Sequence, residues 1–111
     1  MKMPDKTRVD EKWESLVMDD NGHVRKIVRV ASRHHVLRQL FPFAGHNDLR
    51  FSVKDEYPYD WDLPYVRTTP YGGYEARVCD GIPIIAGNLD EVVMMVADAM
   101  VVALAGESNE S

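Results

Sequence analysis

Residues that could bind or transform a small molecule are concentrated in the middle of the chain. His46 follows a glycine and could act as a general base or as a ligand, and Arg50 and Asp60 add charge nearby. Loops rich in aromatic and polar residues at the end of a sheet are where ligand pockets tend to form. The candidate ligand-binding residues are His46, Arg50, Tyr57, Tyr59, Asp60, Trp61 and Tyr65, with Asp62 beside them.

A structural role for the same residues is the competing hypothesis. The aromatic side chains would then close the hydrophobic core where a helix meets the sheet, and Arg50 would pair with an aspartate. His46 would fix a turn through a hydrogen bond. The residue types alone leave both hypotheses open.

The usual signatures of enzymes and metal sites are missing from the sequence. It has no glycine-rich phosphate loop, no His-Glu-x-x-His, no Gly-x-Ser-x-Gly and no Cys-x-x-Cys. The single cysteine, Cys79, cannot form an internal disulfide and has no cysteine or histidine at a ligand spacing. His34 and His35 would point about 100° apart on a helix, which does not suit one metal ion. We therefore predict no catalytic residue, no metal and no cofactor.

Positive charge follows a helical spacing in the first half of the chain. Arg25, Arg29 and Arg33 are four residues apart, which would place them on one helix face. Such a row could hold an anion, a nucleic-acid backbone or an acidic protein surface. A solvated face paired with an acidic first helix is the simpler interpretation. The net charge of −5 also weighs against binding to nucleic acid.

The length of 111 residues is typical of one domain, which we place at residues 7–105 between flexible tails at 1–6 and 106–111. Thr7 could cap a first helix whose apolar stripe includes Trp13. A second helix is expected over residues 24–40, with a kink or a break allowed at His34-His35 and an end forced by Pro42. These two helices form a helical hairpin, joined by a turn at residues 19–22.

The sequence of the second half of the chain predicts an antiparallel meander of three to four strands. Alternating residues indicate strands at 49–53 and 74–79, and an Asp80-Gly81 turn leads into a strand at 82–86. A strand at 63–67 is expected at an edge because of Pro64. The predicted fold class is α+β, with helices on one face of the sheet.

The C-terminal helix is expected to begin after Asn88, the predicted cap, and to run to residue 105, with Gly106 at its end. It is apolar on nearly every side, so it is either buried on all faces or packs on the sheet and uses a second face for self-association, and the small size of the domain favours self-association. The candidate interface residues are Met94, Met95, Met100, Val101 and Leu104. Its apolar run is shorter than a membrane span and the N-terminus is unlike a signal peptide, so a cytoplasmic protein without membrane contact is predicted.

The segment LRQLFPFAGHNDLRFS, residues 37–52, resembles a stretch found in a family of small actinobacterial proteins of unknown function labelled natural product biosynthesis proteins. Tyr57-Pro58, Gly73-Tyr74 and the helix at 88–105 continue the resemblance, which covers roughly residues 30–105. The chain departs from the pattern at Ala44-Gly45-His46, where a serine is expected before the histidine. The resemblance implies an association with secondary metabolism and supplies no catalytic residues.

Three functions are compatible with these features. The first is a non-enzymatic accessory or interaction protein that forms a homodimer through its C-terminal helix and has a protein partner. The second is a small-molecule-binding protein or minor enzyme that uses the loop around His46 and Arg50. The third is an immunity or antitoxin-like inhibitor, since an acidic protein of this size could bind a basic enzyme.

Overall fold

The computed structural model describes residues 3–19, 24–78 and 85–108. Helices occupy both ends of the chain, and five strands lie between them. In chain order the elements are α1 (Lys6–Met18), α2 (Arg25–Ser32), α3 (His35–Arg38), β1 (Phe41–Ala44), β2 (Asp48–Ser52), β3 (Tyr65–Thr68), β4 (Tyr74–Arg77), β5 (Ile85–Gly87) and α4 (Leu89–Ser108).

The strands form one antiparallel meander in the order β1-β2-β3-β4-β5. The predicted α+β class is confirmed, but the sheet has one strand more than the largest predicted number. The additional strand is β1, which pairs Phe41 with Ser52 and Ala44 with Leu49. Pro42 had indicated only the end of a helix. It is accommodated in β1 because an edge strand leaves half of its backbone N–H groups without a ladder partner.

The prediction that Pro64 marks an edge strand is wrong. Pro64 is buried and immediately precedes β3, which is the central strand of the sheet. Because the proline lies outside the paired residues, its missing N–H costs β3 no ladder hydrogen bond. The predicted Asp80-Gly81 turn and Cys79 lie outside the described residues, but β4 and β5 on either side are paired antiparallel, Glu75 opposite Ala86.

The helices α1 and α2 pack together as predicted, while most of the predicted turn between them lies outside the described residues. One correction concerns the cap: Asp5, rather than Thr7, caps α1, since its Oδ1 accepts a hydrogen bond from the Thr7 N–H at 3.1 Å. The break that the sequence allowed at His34-His35 is present, because His34 has an extended backbone (φ −88°, ψ 122°) between α2 and α3. This break turns the chain so that Leu37 and Leu40 both reach the core.

The helix α4 packs on the sheet and on α2, as predicted. The Asn88 cap is confirmed, since Asn88 Oδ1 accepts a hydrogen bond from the Glu91 N–H at 2.9 Å. The helix continues through Gly106 to Ser108 instead of ending at the glycine. Val92, Val93, Val96, Ala97 and Met100 form its buried face. Within the described ranges, none of the helices combines the length and apolar character needed to cross a membrane.

The buried indole of Trp13 connects α1 to the rest of the core. Its N–H donates a hydrogen bond to the Leu40 carbonyl at 2.9 Å, and its ring centroid lies 6.2 Å from that of Phe51 in β2. One side chain thereby joins a helix, the segment that enters β1, and the sheet. Its loss is expected to weaken all three contacts together.

We predict that Trp13→Phe lowers the free energy of unfolding by about 1–3 kcal/mol, because the buried Leu40 carbonyl loses its donor. Urea denaturation followed by circular dichroism measures the change. Tyr71→Phe is the control, since Tyr71 is 97% exposed and its substitution should leave the midpoint nearly unchanged. Equal midpoints for Trp13→Phe and wild type would contradict this role of the indole.

Candidate functional site

The two faces of the sheet differ in character because successive side chains on a strand point in opposite directions. Leu49, Phe51 and Val66 point toward the helices and are buried. The opposite face, which we call the outer face, carries aromatic and charged side chains. It consists of Phe41, Phe43, Asp48, Arg50, Ser52, Tyr65, Arg67, Glu75 and Arg77.

Arg50 lies at the centre of the outer face and is bound on several sides. Its Nε is 3.0 Å from Asp48 Oδ2, and its Nη1 donates to the Trp61 carbonyl at 3.1 Å. The guanidinium carbon lies 3.7 Å from the centroid of the Tyr65 ring and 4.9 Å from that of Trp61. This is the aspartate pairing that the structural hypothesis for Arg50 predicted. The guanidinium is therefore engaged with the protein itself.

The aromatic residues of the 57–61 segment cover β1. The Tyr59 ring is stacked against Phe43 at 4.8 Å and against Phe41 at 5.5 Å. Trp61 meets Phe43 edge-on at 5.3 Å, and Tyr57, which precedes a cis proline, meets Tyr59 edge-on at 6.1 Å. Tyr57 and Trp61 remain 80% and 58% exposed, so they form the rim of this cluster.

Asp60 anchors the segment between β2 and β3. Its Oδ2 accepts hydrogen bonds from the Val53 N–H at 2.9 Å and from the Ser52 hydroxyl at 3.0 Å. The Ser52 oxygen, which is fully buried, in turn accepts the N–H groups of Lys54 and Asp60. These hydrogen bonds tie the loop that follows β2 to the end of that strand.

The structure thus brings together most of the residues predicted as a ligand site. Arg50, Tyr57, Tyr59, Trp61 and Tyr65 meet on the outer face, and Asp60 supports them from the loop. His46 lies instead on the exposed turn between β1 and β2, and Asp62 is exposed. Sequence reasoning missed Asp48 as the partner of Arg50. The spacing of two residues within a strand could have revealed it, because such residues share a face.

A second surface lies on α4. Met94, Met95, Val101 and Val102 are 58%, 38%, 50% and 72% exposed, and the exposed Asp98 lies among them. We call these five residues the α4 stripe. Met100, predicted as an interface residue, has no exposed surface and belongs to the core, and Leu104 is half-buried against that core. Val102 was missed, although it follows Met95 by seven residues and so shares its helix face.

The charges around the α4 stripe are divided between two neighbouring helices. The α4 segment contains acidic residues, including Asp90, Glu91 and Asp98, and no lysine, arginine or histidine. The adjacent helix α2 exposes Lys26 and Arg29 and contains no acidic residue. Arg25 and Arg29 of the predicted row lie on α2, and Arg33 follows Ser32 as the C-cap residue with a helical backbone (φ −90°, ψ −8°); all three are exposed.

The sequence of the chain matches a protein-family model. Residues 7–105 match the model of a family described as a family of unknown function (DUF6193). The chain belongs to this family. Neither the curated proteins nor the solved structures include a significant match. The expectation that the chain belongs to a family of unknown function is confirmed. The match begins at residue 7, whereas the resemblance seen in the sequence began at about residue 30.

We predict that Asp60→Ala lowers the free energy of unfolding by about 1–3 kcal/mol, because the buried groups around Ser52 lose an acceptor. Hydrogen exchange should show reduced protection of the Val53 amide. Asp62→Ala is the matched control: this neighbouring aspartate is exposed, and its removal should change neither quantity. Unchanged protection at Val53 in Asp60→Ala would show that the carboxylate does not hold the loop.

Proposed function

We propose that this protein is a non-enzymatic accessory or interaction protein that acts as a homodimer through the α4 stripe. The observation that supports this most is the exposure of four large apolar side chains on one helix that is already buried on its opposite face. Monomeric proteins rarely expose contiguous apolar patches of this kind, and those that do so use them for binding.

The spacing of the α4 stripe suits contact with another surface along the length of the helix. Met94, Asp98 and Val101 follow one another by four and three residues, and Met95 and Val102 by seven. Residues at these intervals lie along one side of an α-helix. Methionine adds an adaptable side chain that packs against irregular surfaces. Burial of this stripe against a partner would contribute roughly 25 cal/mol for each Å² of apolar surface removed from water.

A second copy of the same chain is complementary in charge only where α4 of one copy lies against α2 of the other, because the charged residues of α4 are all acidic. In a two-fold symmetric dimer a contact between two different patches occurs twice. The acidic residues of α4 and the cations of α2 lie on adjacent helices that pack together. The proposed dimer therefore places Asp98 of one copy toward Arg29 of the other, instead of toward the equivalent Asp98. Such complementarity selects the partner and fixes the register.

The outer face supports an accessory role over an enzymatic one. Arg50 is held by Asp48, Tyr65 and Trp61, and the Asp60 carboxylate accepts two hydrogen bonds from β2 and its loop. These groups maintain the structure of the outer face. Use of the His46 and Arg50 loop by a small molecule would require the Asp48 pair to open. The proposal includes an association with secondary metabolism, which the resemblance of residues 37–52 supports. It also includes a cytoplasmic location, which the sequence supports.

An immunity-like inhibitor is a second candidate that one specific observation favours. Asp90, Glu91 and Asp98 concentrate acidic charge beside exposed apolar side chains on one helix. This combination also suits the basic surface of an enzyme, toward which charge would steer association. The two candidates differ in whether the purified chain self-associates.

We predict that Val101→Glu weakens self-association at least about tenfold, because a buried carboxylate in an apolar contact costs 1.4 kcal/mol or more. Sedimentation equilibrium of the purified protein measures the dissociation constant. Met18→Glu is the matched control, since Met18 is 82% exposed on α1, outside the α4 stripe. A wild-type protein that stays monomeric at high micromolar concentration would contradict the homodimer and leave the inhibitor candidate.

A charge exchange tests the orientation within the dimer. Asp98→Arg and Arg29→Glu should each weaken self-association, because each places like charges together across the interface. The double variant should restore it toward the wild-type value, since the pair is re-formed with reversed signs. Additive losses in the double variant would show that the two residues do not meet.

A further inference from the structure

A cleft lies between the beginning of α1 and the turn that joins α2 to α3, on the side of the molecule formed by helices. Its volume is about 640 Å³, and its polar wall is formed by Lys6, Asp10, Ser32, Arg33, His35 and Arg38. Val9 and Met3 contribute apolar surface to it. Clefts of about 300–1,000 Å³ with an apolar wall and a few convergent polar groups are the usual form of small-molecule sites.

The charge of the cleft is opposite to that of the whole chain. Lys6, Arg33 and Arg38 line it together with one carboxylate, Asp10, whereas the protein carries a net charge of −5. A concave surface that concentrates one sign of charge raises the local concentration of ligands of the opposite sign. The cleft is therefore suited to an anion in an otherwise acidic protein.

Asp10 neutralises only part of this positive charge. Its Oδ2 lies 2.7 Å from Lys6 Nζ, and its Oδ1 lies 3.6 Å from Arg38 Nη2. The hydrogen bond from Lys6, helped by the charges of Lys6 and Arg38, lowers the pKa of the Asp10 carboxyl below its ordinary value of 3.8. Asp10 is therefore paired more closely with Lys6 than with Arg38.

Arg38 retains hydrogen-bonding capacity that the described residues do not use. Its guanidinium carbon lies 5.7 Å from the centroid of the Trp13 ring, and its Nη1 is buried without an acceptor among the described residues. A charged donor without a partner is costly, so an acceptor in the cleft that the one-third-exposed Arg38 side chain turns to meet would be bound favourably. Arg33 is exposed on the same cleft and likewise has no acceptor within the described part of the chain.

We propose that this cleft binds a small organic oxyanion, a carboxylate or a phosphate ester, whose charged group contacts Arg38 and Arg33 and whose apolar part lies on Val9 and Met3. Arginine suits both headgroups because its planar fork of N–H donors matches pairs of oxygens. The site is separate from the α4 stripe, since the two share no residue. A substitution that abolishes anion binding therefore leaves self-association measurable, and a substitution in the α4 stripe leaves anion binding measurable.

Isothermal titration calorimetry with octanoate and octyl phosphate tests the proposal. We expect saturable binding of at least one of them with one site per chain, and the tighter of the two identifies the preferred headgroup. Octanol lacks the charge and acetate lacks the chain, so each should bind at least about tenfold more weakly. Octanol shows whether an alkyl chain alone is enough for binding, and acetate shows whether a negative charge alone is enough.

Substitutions locate the binding in the cleft. Arg38→Gln and Arg33→Gln should each weaken binding about tenfold or more, whereas Arg67→Gln, an arginine on the outer face, should not change it. Arg33 is exposed, so its substitution keeps the test decisive even if Arg38→Gln fails to fold. The proposal is overturned if folded wild type shows no saturable binding of either alkyl anion at millimolar concentration. It is also overturned if octanol binds equally well or if Arg33→Gln binds like wild type.

Discussion

Burial of Trp13 is the constraint on which the arrangement of the molecule depends. The indole is in contact with Phe51 of the sheet and donates its N–H to Leu40, immediately before β1. The chain must therefore bring the end of its helical half onto the second strand. The break at His34 makes this possible, because a continuous helix would carry Leu37 and Leu40 progressively around its axis and away from one face. Arg38, placed above the same indole by this turn, becomes available to the cleft.

Alternation along β2 then separates the two sides of the protein. Leu49 and Phe51 enter the core beneath the helices, while Arg50 and Ser52 point to the outer face. Left uncovered, the outer face would expose aromatic and charged side chains to water. The segment that follows β2 folds over part of this face. Asp60 holds that segment through Ser52 and Val53. Most of the residues predicted as a ligand site thus also have a structural role, since they cover one face of the sheet.

Sequence patterns correctly predicted the features that depend on interactions within a few residues. The Asn88 cap, the apolar α4 and the alternating β2 and β4 follow from side-chain hydrogen bonding and periodicity within a few residues. The features that failed depend on contacts between distant segments. Pro42 lies in a strand because β2 is there to pair with it, and β3 is central because β4 and β5 lie beyond it. Arg50 is an exception, because its partner Asp48 is only two residues away and the spacing within one strand could have revealed the pair.

The helix α4 shows why sequence alone divided core from interface incorrectly. Most of its residues are apolar, so apolar character does not distinguish Met100, which is buried, from Val102, which is mostly exposed. Only the angular position of the sheet decides which side is covered, and it leaves the stripe from Met94 to Val102 without cover. In the dimer that we propose, the acidic residues beside that stripe and the cations of α2 would supply the specificity that apolar surface lacks, since hydrophobic contact is not directional. Charge, rather than apolar area, would then select a second copy over an unrelated apolar surface.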